Sequence, residues 1–270
     1  MNGRLYDAHN HLQDERLTAC RAEVLAAARR EGIARMVVNG SCEADWPAVL
    51  ELARTCPETI PSFGYHPWYV KERSPEWRQV LRRFLDEIPS AVGEIGLDHW
   101  IKDYDTAQQE EVFIWQLRLA AERDLPVSIH CLQAWGRLLD LLRAQPRPRR
   151  GFVLHSFGGP QEMIPALVEM GAYFSLPGYF AHPRKTRQRE AFRRVPPERL
   201  LIETDAPDQL LPPELARYAL TDARTGRTLN HPANLSAVYL FAAELLDTPL
   251  EALAERVEAN FLQLFSFGSA

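Results

Sequence analysis

The sequence predicts an α/β fold, a single (β/α)8 or TIM barrel, on three observations. Short apolar or β-branched runs alternate with longer stretches in which apolar residues have helical spacing, which is typical of parallel β/α units. There are eight such runs. The chain has 270 residues, and a barrel of this type needs about 250. We therefore expect one domain over residues 1–270.

The predicted elements follow in chain order. The eight strands are expected at residues 5–12, 36–40, 60–66, 91–96, 126–131, 151–156, 172–178 and 200–205. Between them, stretches such as 18–30 and 108–123 repeat apolar residues every three or four positions, which predicts one-sided helices. After the eighth strand, the polar, proline-containing stretch 207–232 predicts a long loop, and two helices are expected at 233–246 and 250–264.

Composition indicates a packed globular domain, with 46% hydrophobic and 25% charged residues. The first residues carry Arg4 and Asp7 where a signal peptide would be apolar, and no stretch is long and apolar enough to span a bilayer. The four cysteines are too sparse for a disulfide framework and lack the spacing of a zinc clip; they are Cys20, Cys42, Cys56 and Cys131. We expect a cytoplasmic protein without membrane association, and no obligate protein partner is evident.

Most of the predicted strands are apolar until their last residues and then end in a histidine or a carboxylate. Barrel active sites form at these carboxyl ends. Six of the residues found there are standard ligands of divalent cations, which predicts a metal site. They are His9, His11, Glu94, His130, His155 and Asp205.

Strand geometry predicts how these six candidate ligands are shared between two metal ions. His9 and His11 are two residues apart, so they point the same way and can chelate one ion. Glu94 lies in a strand where a buried carboxylate is costly unless it is paired or bound to metal, and its two oxygens can bridge two cations. His130 and His155 each close an apolar run. Either alone is typical of a strand-end histidine, but with Glu94 they form a set for a second ion.

Several motifs together carry a resemblance to a known family. Asp-Ala-His-Asn-His, Gly-Tyr-His-Pro, Gly-Glu-Ile-Gly-Leu-Asp, the strands of His130 and His155, and Glu-Thr-Asp-Ala-Pro stand in the order seen in the TatD family. The sequence resembles that family over nearly its whole length, including a final helix around residues 258–265. The family is a TIM-barrel branch of the amidohydrolase-like metal hydrolases. In it, a glutamate on the fourth strand replaces the carboxylated lysine of some relatives, and Glu94 stands at that position.

The resemblance implies two divalent ions, Zn, Mn, Mg or Co. One is expected on His9, His11, Glu94 and Asp205, and the other on Glu94, His130 and His155. Such a pair lowers the pKa of a shared water and polarises a phosphoryl or carbonyl oxygen. Asp205 is then the candidate general base, so Asp205 and Glu94 are the predicted catalytic residues, although Asp205 also suits a helix N-cap. Glu203 is expected to orient a ligand imidazole, or to form a buried salt bridge.

Two functions remain open. The family resemblance implies a deoxyribonuclease of exonuclease type that hydrolyses the phosphodiesters of DNA. The alternative is an amidohydrolase or esterase that acts on a small-molecule or aminoacyl amide or ester, because the fold does not choose the reaction. The aromatic residues near strand ends favour the first function if bases stack on them, but they can also anchor loops; they are Trp68, Tyr69, Trp100 and Trp135.

Substrate contacts are expected at fewer positions. His66 can donate to a phosphate oxygen or cap its loop, and Asp98 completes the Gly-Leu-Asp motif. The net charge of −5 repels polyanions, so DNA binding needs a local basic patch. Arg184 and Lys185, which begin a basic run ending at Arg194, are the candidates, unless the run is a solvated helix face.

The sequence differs from the usual TatD-family pattern in the loop after the eighth strand. The TatD family commonly has Asn-Glu-Pro there, and this chain has Asn-His-Pro at residues 230–232. The missing carboxylate affects expectations about loop closure and substrate contact, with His231 as an additional polar candidate, and leaves the predicted metal site unchanged.

Overall fold

The predicted barrel is confirmed by the computed structural model, which describes residues 4–267. Eight parallel strands lie side by side in chain order. They are β1 (Leu5–Asn10), β2 (Ile33–Asn39), β3 (Thr59–Phe63), β4 (Ala91–Asp98), β5 (Val127–Leu132), β6 (Phe152–Leu154), β7 (Ala172–Pro177) and β8 (Leu200–Glu203). The segment after β8 lies against β1 and closes the barrel: the main-chain N–H of Asp205 donates to the carbonyl of His9 at 2.9 Å.

Helices follow the strands and cover the outside of the barrel. They are α1 (Arg21–Arg30), α2 (Trp46–Thr55), α3 (Trp77–Glu87), α4 (Thr106–Arg123), α5 (Trp135–Ala144), α6 (Ile164–Glu169), α7 (Thr186–Phe192), α8 (Leu235–Leu245) and α9 (Leu250–Phe265). The last helix packs on β1 and β8, where Asn260 Nδ2 donates to the carbonyl of Leu200 at 2.8 Å. In the described part of the chain, no helix has both the length and the apolar composition needed to cross a membrane.

Six strands end earlier than predicted, and after four of them a site residue follows the strand instead of ending it. These residues are His11, His66, His155 and Asp205. Asp205 has a φ of 52° and Ser156 a φ of 45°, values that a strand cannot continue through. The predicted loop 207–232 also contains a small hairpin, β9 (Leu220–Thr221) with β10 (Thr228–Leu229). Strands of two residues leave no periodic signal in a sequence.

Small polar residues form the barrel interior directly beneath the strand ends. Asn39, Ser62, Ser128 and Ser175 are all fully buried there. A Cβ on Gly93 would lie 2.7 Å from Ser128 Cβ and 2.8 Å from Ser62 Oγ, so only glycine fits at this position. The main chain before Glu94 therefore lies close to side chains of the neighbouring strands.

A buried carboxylate on β1 helps to close the barrel. Asp7 accepts hydrogen bonds from the main-chain N–H of Thr204 at 2.9 Å and from its Oγ1 at 2.6 Å. We expect Asp7→Ala to lower the free energy of unfolding by about 2–4 kcal/mol, because it leaves buried donors without an acceptor. Urea denaturation measures the loss. Asp86→Ala, which removes a surface ion pair with Arg123, is the control and should cost less than about 1 kcal/mol. Equal losses in the two variants would contradict this role for Asp7.

Candidate metal centre

One group of nitrogen and oxygen atoms lies at the carboxyl ends of β1, β4 and β8. His9 Nε2 and His11 Nε2 are 3.3 Å apart, and each lies 3.3 Å from Glu94 Oε2. Asp205 Oδ1 is 3.6 Å from His9 Nε2 and 3.5 Å from His11 Nε2. Four potential ligand atoms therefore surround one point.

The other oxygen of Glu94 faces a second group. Glu94 Oε1 lies 3.0 Å from His130 Nδ1 and 2.8 Å from His155 Nε2, and these two nitrogens are 3.1 Å apart. Glu94 Oε1 accepts no hydrogen bond although it is buried. Glu94 is thus the carboxylate that the two groups share. One of its oxygens faces each group, as the sequence predicted for a residue that bridges two cations.

The spacing of these atoms fits a divalent cation. Metal–ligand distances of about 2.0–2.1 Å place tetrahedral ligands about 3.3 Å apart and adjacent octahedral ligands about 2.9 Å apart. The first group has separations of 3.3–3.6 Å and the second of 2.8–3.1 Å. Imidazole nitrogens and carboxylate oxygens together are ligands that Zn, Mn, Co and Mg accept. The residues present fit a metal centre.

Hydrogen bonds on the outer ring nitrogens set the tautomers of two histidines. His11 Nδ1 donates to the carbonyl of Asn39 at 2.8 Å, and His130 Nε2 donates to Asp98 Oδ2 at 2.9 Å. In the neutral ring, the other nitrogen then carries a lone pair that points into the centre, as a metal ligand requires. These hydrogen bonds therefore fix which nitrogen of each ring faces the centre.

His66 has the opposite arrangement. Its Nδ1 accepts a hydrogen bond from the main-chain N–H of Trp68 at 3.1 Å, so the proton of the neutral ring is on Nε2. That Nε2 lies 3.3 Å from Glu94 Oε1 and faces the cleft. Burial lowers the pKa of His66 to about 4, so the ring is neutral at pH 7. His66 presents a hydrogen-bond donor where the neighbouring histidines present lone pairs.

The centre favours bound positive charge. Burial opposes ionisation of Glu94, but the surrounding histidines hold its pKa well below the usual range. Burial also raises the pKa of Asp205, yet the hydrogen bond from His11 and nearby imidazoles lower it to about 2. In turn, the carboxylates raise the pKa of His155 well above its usual value, against the effect of burial. Both carboxylates are ionised at pH 7, as ligands must be.

A hydrogen-bond chain that sequence analysis missed supports Asp205. Gln209 Nε2 donates to Asp205 Oδ2 at 2.7 Å and to Ser156 Oγ at 2.6 Å. Ser156 in turn donates to Glu203 Oε1 at 2.5 Å. Gln209 lies in an irregular loop after β8, and a lone glutamine there carries no signal of its own in one sequence.

Two predicted roles differ from what the structure places there. Asp98 is fully buried and its oxygens accept from His130, Trp68 and the main chain of Trp100, so it has no open face for substrate and supports His130 instead. Glu203 Oε1 lies 3.8 Å from His155 Nδ1, which is beyond hydrogen-bond length but within the range of a buried ion pair, the alternative role expected for Glu203. Its hydrogen bonds come from the hydroxyls of Ser156 and Ser175 and from the main-chain N–H of Ser156 at 2.7 Å, all closer than the imidazole.

The basic residues predicted to contact substrate, which follow β7, do not line the cleft. A cleft of about 970 Å³ opens above the centre, and the residues that line it include neither Arg184 nor Lys185. Both side chains rest on the ring of Tyr179, at 5.3 Å and 4.5 Å from its centroid, because a nearby aromatic face attracts a cation. His231 is also absent from the lining; it caps a short helix by accepting from the main-chain N–H of Ala233 at 3.0 Å.

Comparison with known proteins decides the family. The family described as TatD related DNase matches residues 6–266. The chain belongs to the TatD family. A relative from Erwinia tasmaniensis, named 3'-5' ssDNA/RNA exonuclease TatD, is 32% identical over 266 residues, which cover 97% of this TatD-family chain and 100% of the relative.

A second TatD relative agrees in sequence and in structure. YjjV of Escherichia coli K12, named a metal-dependent hydrolase, is 28% identical to this chain over 266 residues, which cover 97% of this chain and 98% of YjjV. Its crystal structure superposes with a TM-score of 0.88 and covers 98% of this chain and 99% of YjjV. A TatD-family hydrolase from Entamoeba histolytica has the same fold, with a TM-score of 0.84 at 19% identity over 98% of this chain and 99% of that protein. The TatD resemblance and the TIM barrel predicted from the sequence are both confirmed.

Proposed function

We propose that this TatD-family chain is a two-metal phosphodiesterase that removes nucleotides from the end of single-stranded DNA or RNA. The proposal rests on the position of Glu94, because its two oxygens face two separate groups of ligand atoms. The name of the Erwinia relative supports the substrate class, since it is an ssDNA/RNA exonuclease.

Each group holds one divalent ion in this proposal. The first comprises His9, His11, Glu94 and Asp205, and the second Glu94, His130 and His155. When bound, two such ions would lower the pKa of a nearby water and polarise a phosphoryl oxygen. The donor set admits Zn, Mn, Mg or Co, so the identity of the ions depends on supply.

Asp205 acts on the attacking water. Its Oδ2 is held by Gln209, and its Oδ1, one of the ligand atoms of the first group, faces the centre. The pKa of Asp205 is lowered to about 2, so the group is ionised at pH 7 and Oδ1 can orient the water by accepting a hydrogen bond from it. We assign the acceptance of the water's proton to the same oxygen because of its position, not because of this pKa. Proton transfer to a positioned side chain contributes about 10² to 10⁴-fold to a rate.

His66 holds the substrate phosphate. Its Nε2–H points into the cleft from a ring that hydrogen bonding fixes in place, so it can donate to a non-bridging phosphoryl oxygen. The accepting oxygen becomes more negative as the water attacks, and a neutral donor in a buried site stabilises that charge.

A substrate screen tests the proposal. Protein loaded with Mg, Mn, Zn or Co should shorten end-labelled single-stranded DNA or RNA one nucleotide at a time. Chelator-treated protein should not. If no metal supports cleavage and the same preparations turn over amides or aminoacyl esters, the amidohydrolase or esterase alternative replaces this proposal.

A variant of His66 tests its role separately. Asparagine at this position keeps an acceptor for the Trp68 N–H but cannot reach the cleft. We expect His66→Asn to lower kcat/KM by roughly 10- to 100-fold, the value of a hydrogen bond to a charged group, with unchanged metal content by mass spectrometry. Loss of bound metal in this variant would instead make His66 a ligand.

A further inference from the structure

One wall of the cleft is apolar and aromatic. Trp68, Trp100 and Leu132 line it, and their exposed fractions are 49%, 65% and 38%. They come from the loops after β3 and β4 and from the end of β5. Large apolar side chains that stay in contact with water beside a polar centre mark a surface for a ligand that is itself partly apolar.

The indole of Trp68 is held rigidly although half of it is exposed. Its Nε1 donates to Asp98 Oδ2 at 2.7 Å, and its main-chain N–H donates to His66 Nδ1 at 3.1 Å. The ring stands edge-on to the His66 ring, with centroids 5.1 Å apart, and its centroid is 6.5 Å from that of His130. A flat ring fixed next to the metal centre loses little side-chain entropy when a second ring stacks on it.

The opposite wall offers little to a nucleic-acid backbone. Within residues 4–267, each arginine that lines the cleft already has partners. Arg16 pairs with Asp14 and Asp208, both at 2.7 Å. Arg224 pairs with Glu15 at 2.8 Å, and Arg21 donates to main-chain carbonyls. An arginine of this wall would therefore have to give up a partner to bind a backbone phosphate.

We propose that Trp68 is a stacking platform for an unpaired nucleobase next to the scissile phosphate. This inference rests on the proposed function and adds a binding site for the base to it. The face of a base is free only in a single strand, so the platform would select unpaired ends, and stacking is tolerant of sequence because every base has a π-face. The expected contribution of one stacked base is roughly 10- to 100-fold in affinity.

A cycle of protein and substrate changes tests the platform. Oligonucleotides with an abasic site at the first, second or third nucleotide from the 3' end are compared with the intact strand, using wild-type protein and Trp68→Ala. We expect Trp68→Ala to weaken binding of the intact strand by roughly 10- to 100-fold. An abasic site at one of the three positions should cause the same loss in the wild type and no further loss in the variant.

A conservative variant separates stacking from support of Asp98. Trp68→Phe keeps an aromatic face and lacks the N–H that reaches Asp98, so it should retain most of the affinity, with metal content equal to that of the wild type. Equal losses in Trp68→Phe and Trp68→Ala, or a Trp68→Ala loss that persists on every abasic strand, would overturn the proposal.

The binding readout does not depend on cleavage. Dissociation constants are measured by fluorescence anisotropy with labelled phosphorothioate strands, which resist hydrolysis. If the wild type binds with the expected coupling but cleaves nothing, the platform stands and the phosphodiesterase proposal fails. If the wild type cleaves normally and no coupling is found, the platform alone is rejected.

Discussion

Glu94→Gln is expected to lose bound metal and to lower kcat by roughly 10³-fold or more, because several kcal/mol of electrostatic stabilisation come from the ions that this side chain would share. The amide keeps the size of the side chain but removes its charge, and its NH₂ group would face a histidine nitrogen. Metal per chain, measured by mass spectrometry after dialysis, should fall from two toward zero. Kinetics with end-labelled single strands report the accompanying loss of rate.

A neighbouring carboxylate provides the control. Glu43 lies at the same end of the barrel, accepts hydrogen bonds from Ser74 and Tyr65, and does not line the cleft. Glu43→Gln should therefore leave metal content unchanged. If Glu94→Gln retained both ions, or if only one ion were present in the wild type, the shared carboxylate would not organise a two-metal site.

Asp205→Asn should lower kcat by about 10² to 10⁴-fold while most of the metal stays bound. The asparagine has one carbonyl oxygen to offer, and both the amide of Gln209 and the centre require one. It also cannot accept a proton from water at pH 7. Single-turnover cleavage measured beside metal content separates the loss of proton transfer from the loss of ions.

Asp208→Asn is the matched control, because Asp208 lies in the same loop, lines the cleft and pairs with Arg16 at the surface. An exposed pair contributes little, so activity should change by less than about 5-fold. Should Asp205→Asn lose metal and activity in equal proportion, Asp205 would be a ligand and not also the group that takes the proton.

The barrel and the set of site residues were predictable from sequence because both depend on short-range patterns. Apolar runs that end in histidine or carboxylate place those side chains at one rim once the strands are parallel. The two-residue spacing of His9 and His11 likewise predicts that their side chains point in the same direction, and they do, although His11 lies just past the strand. These conclusions need no knowledge of which strands are neighbours in detail.

The roles of supporting residues could not be predicted, because they depend on contacts between distant loops. Asp98 looked available to substrate from its place after the fourth strand, and only the position of Trp68, thirty residues earlier, shows that it is enclosed. The opposite tautomers of His66 and His130 follow from single hydrogen bonds to a main-chain amide and to a carboxylate. The basic run beginning at Arg184 suggests phosphate binding in the sequence, but in the structure Arg184 and Lys185 pack on the ring of Tyr179.

Glu94 belongs to a strand that pairs with neighbours on both sides, whereas most of the cleft wall is built from connections between strands and helices. The separation of the two groups of ligand atoms is consequently set by the span of one carboxylate on a strand that is hydrogen-bonded on both sides. Insertions and substitutions in the connections can then change which molecules enter without altering the separation of the two groups of ligand atoms. In such a protein, changes in the connections can alter substrate selectivity while the residues that carry out the reaction stay in place.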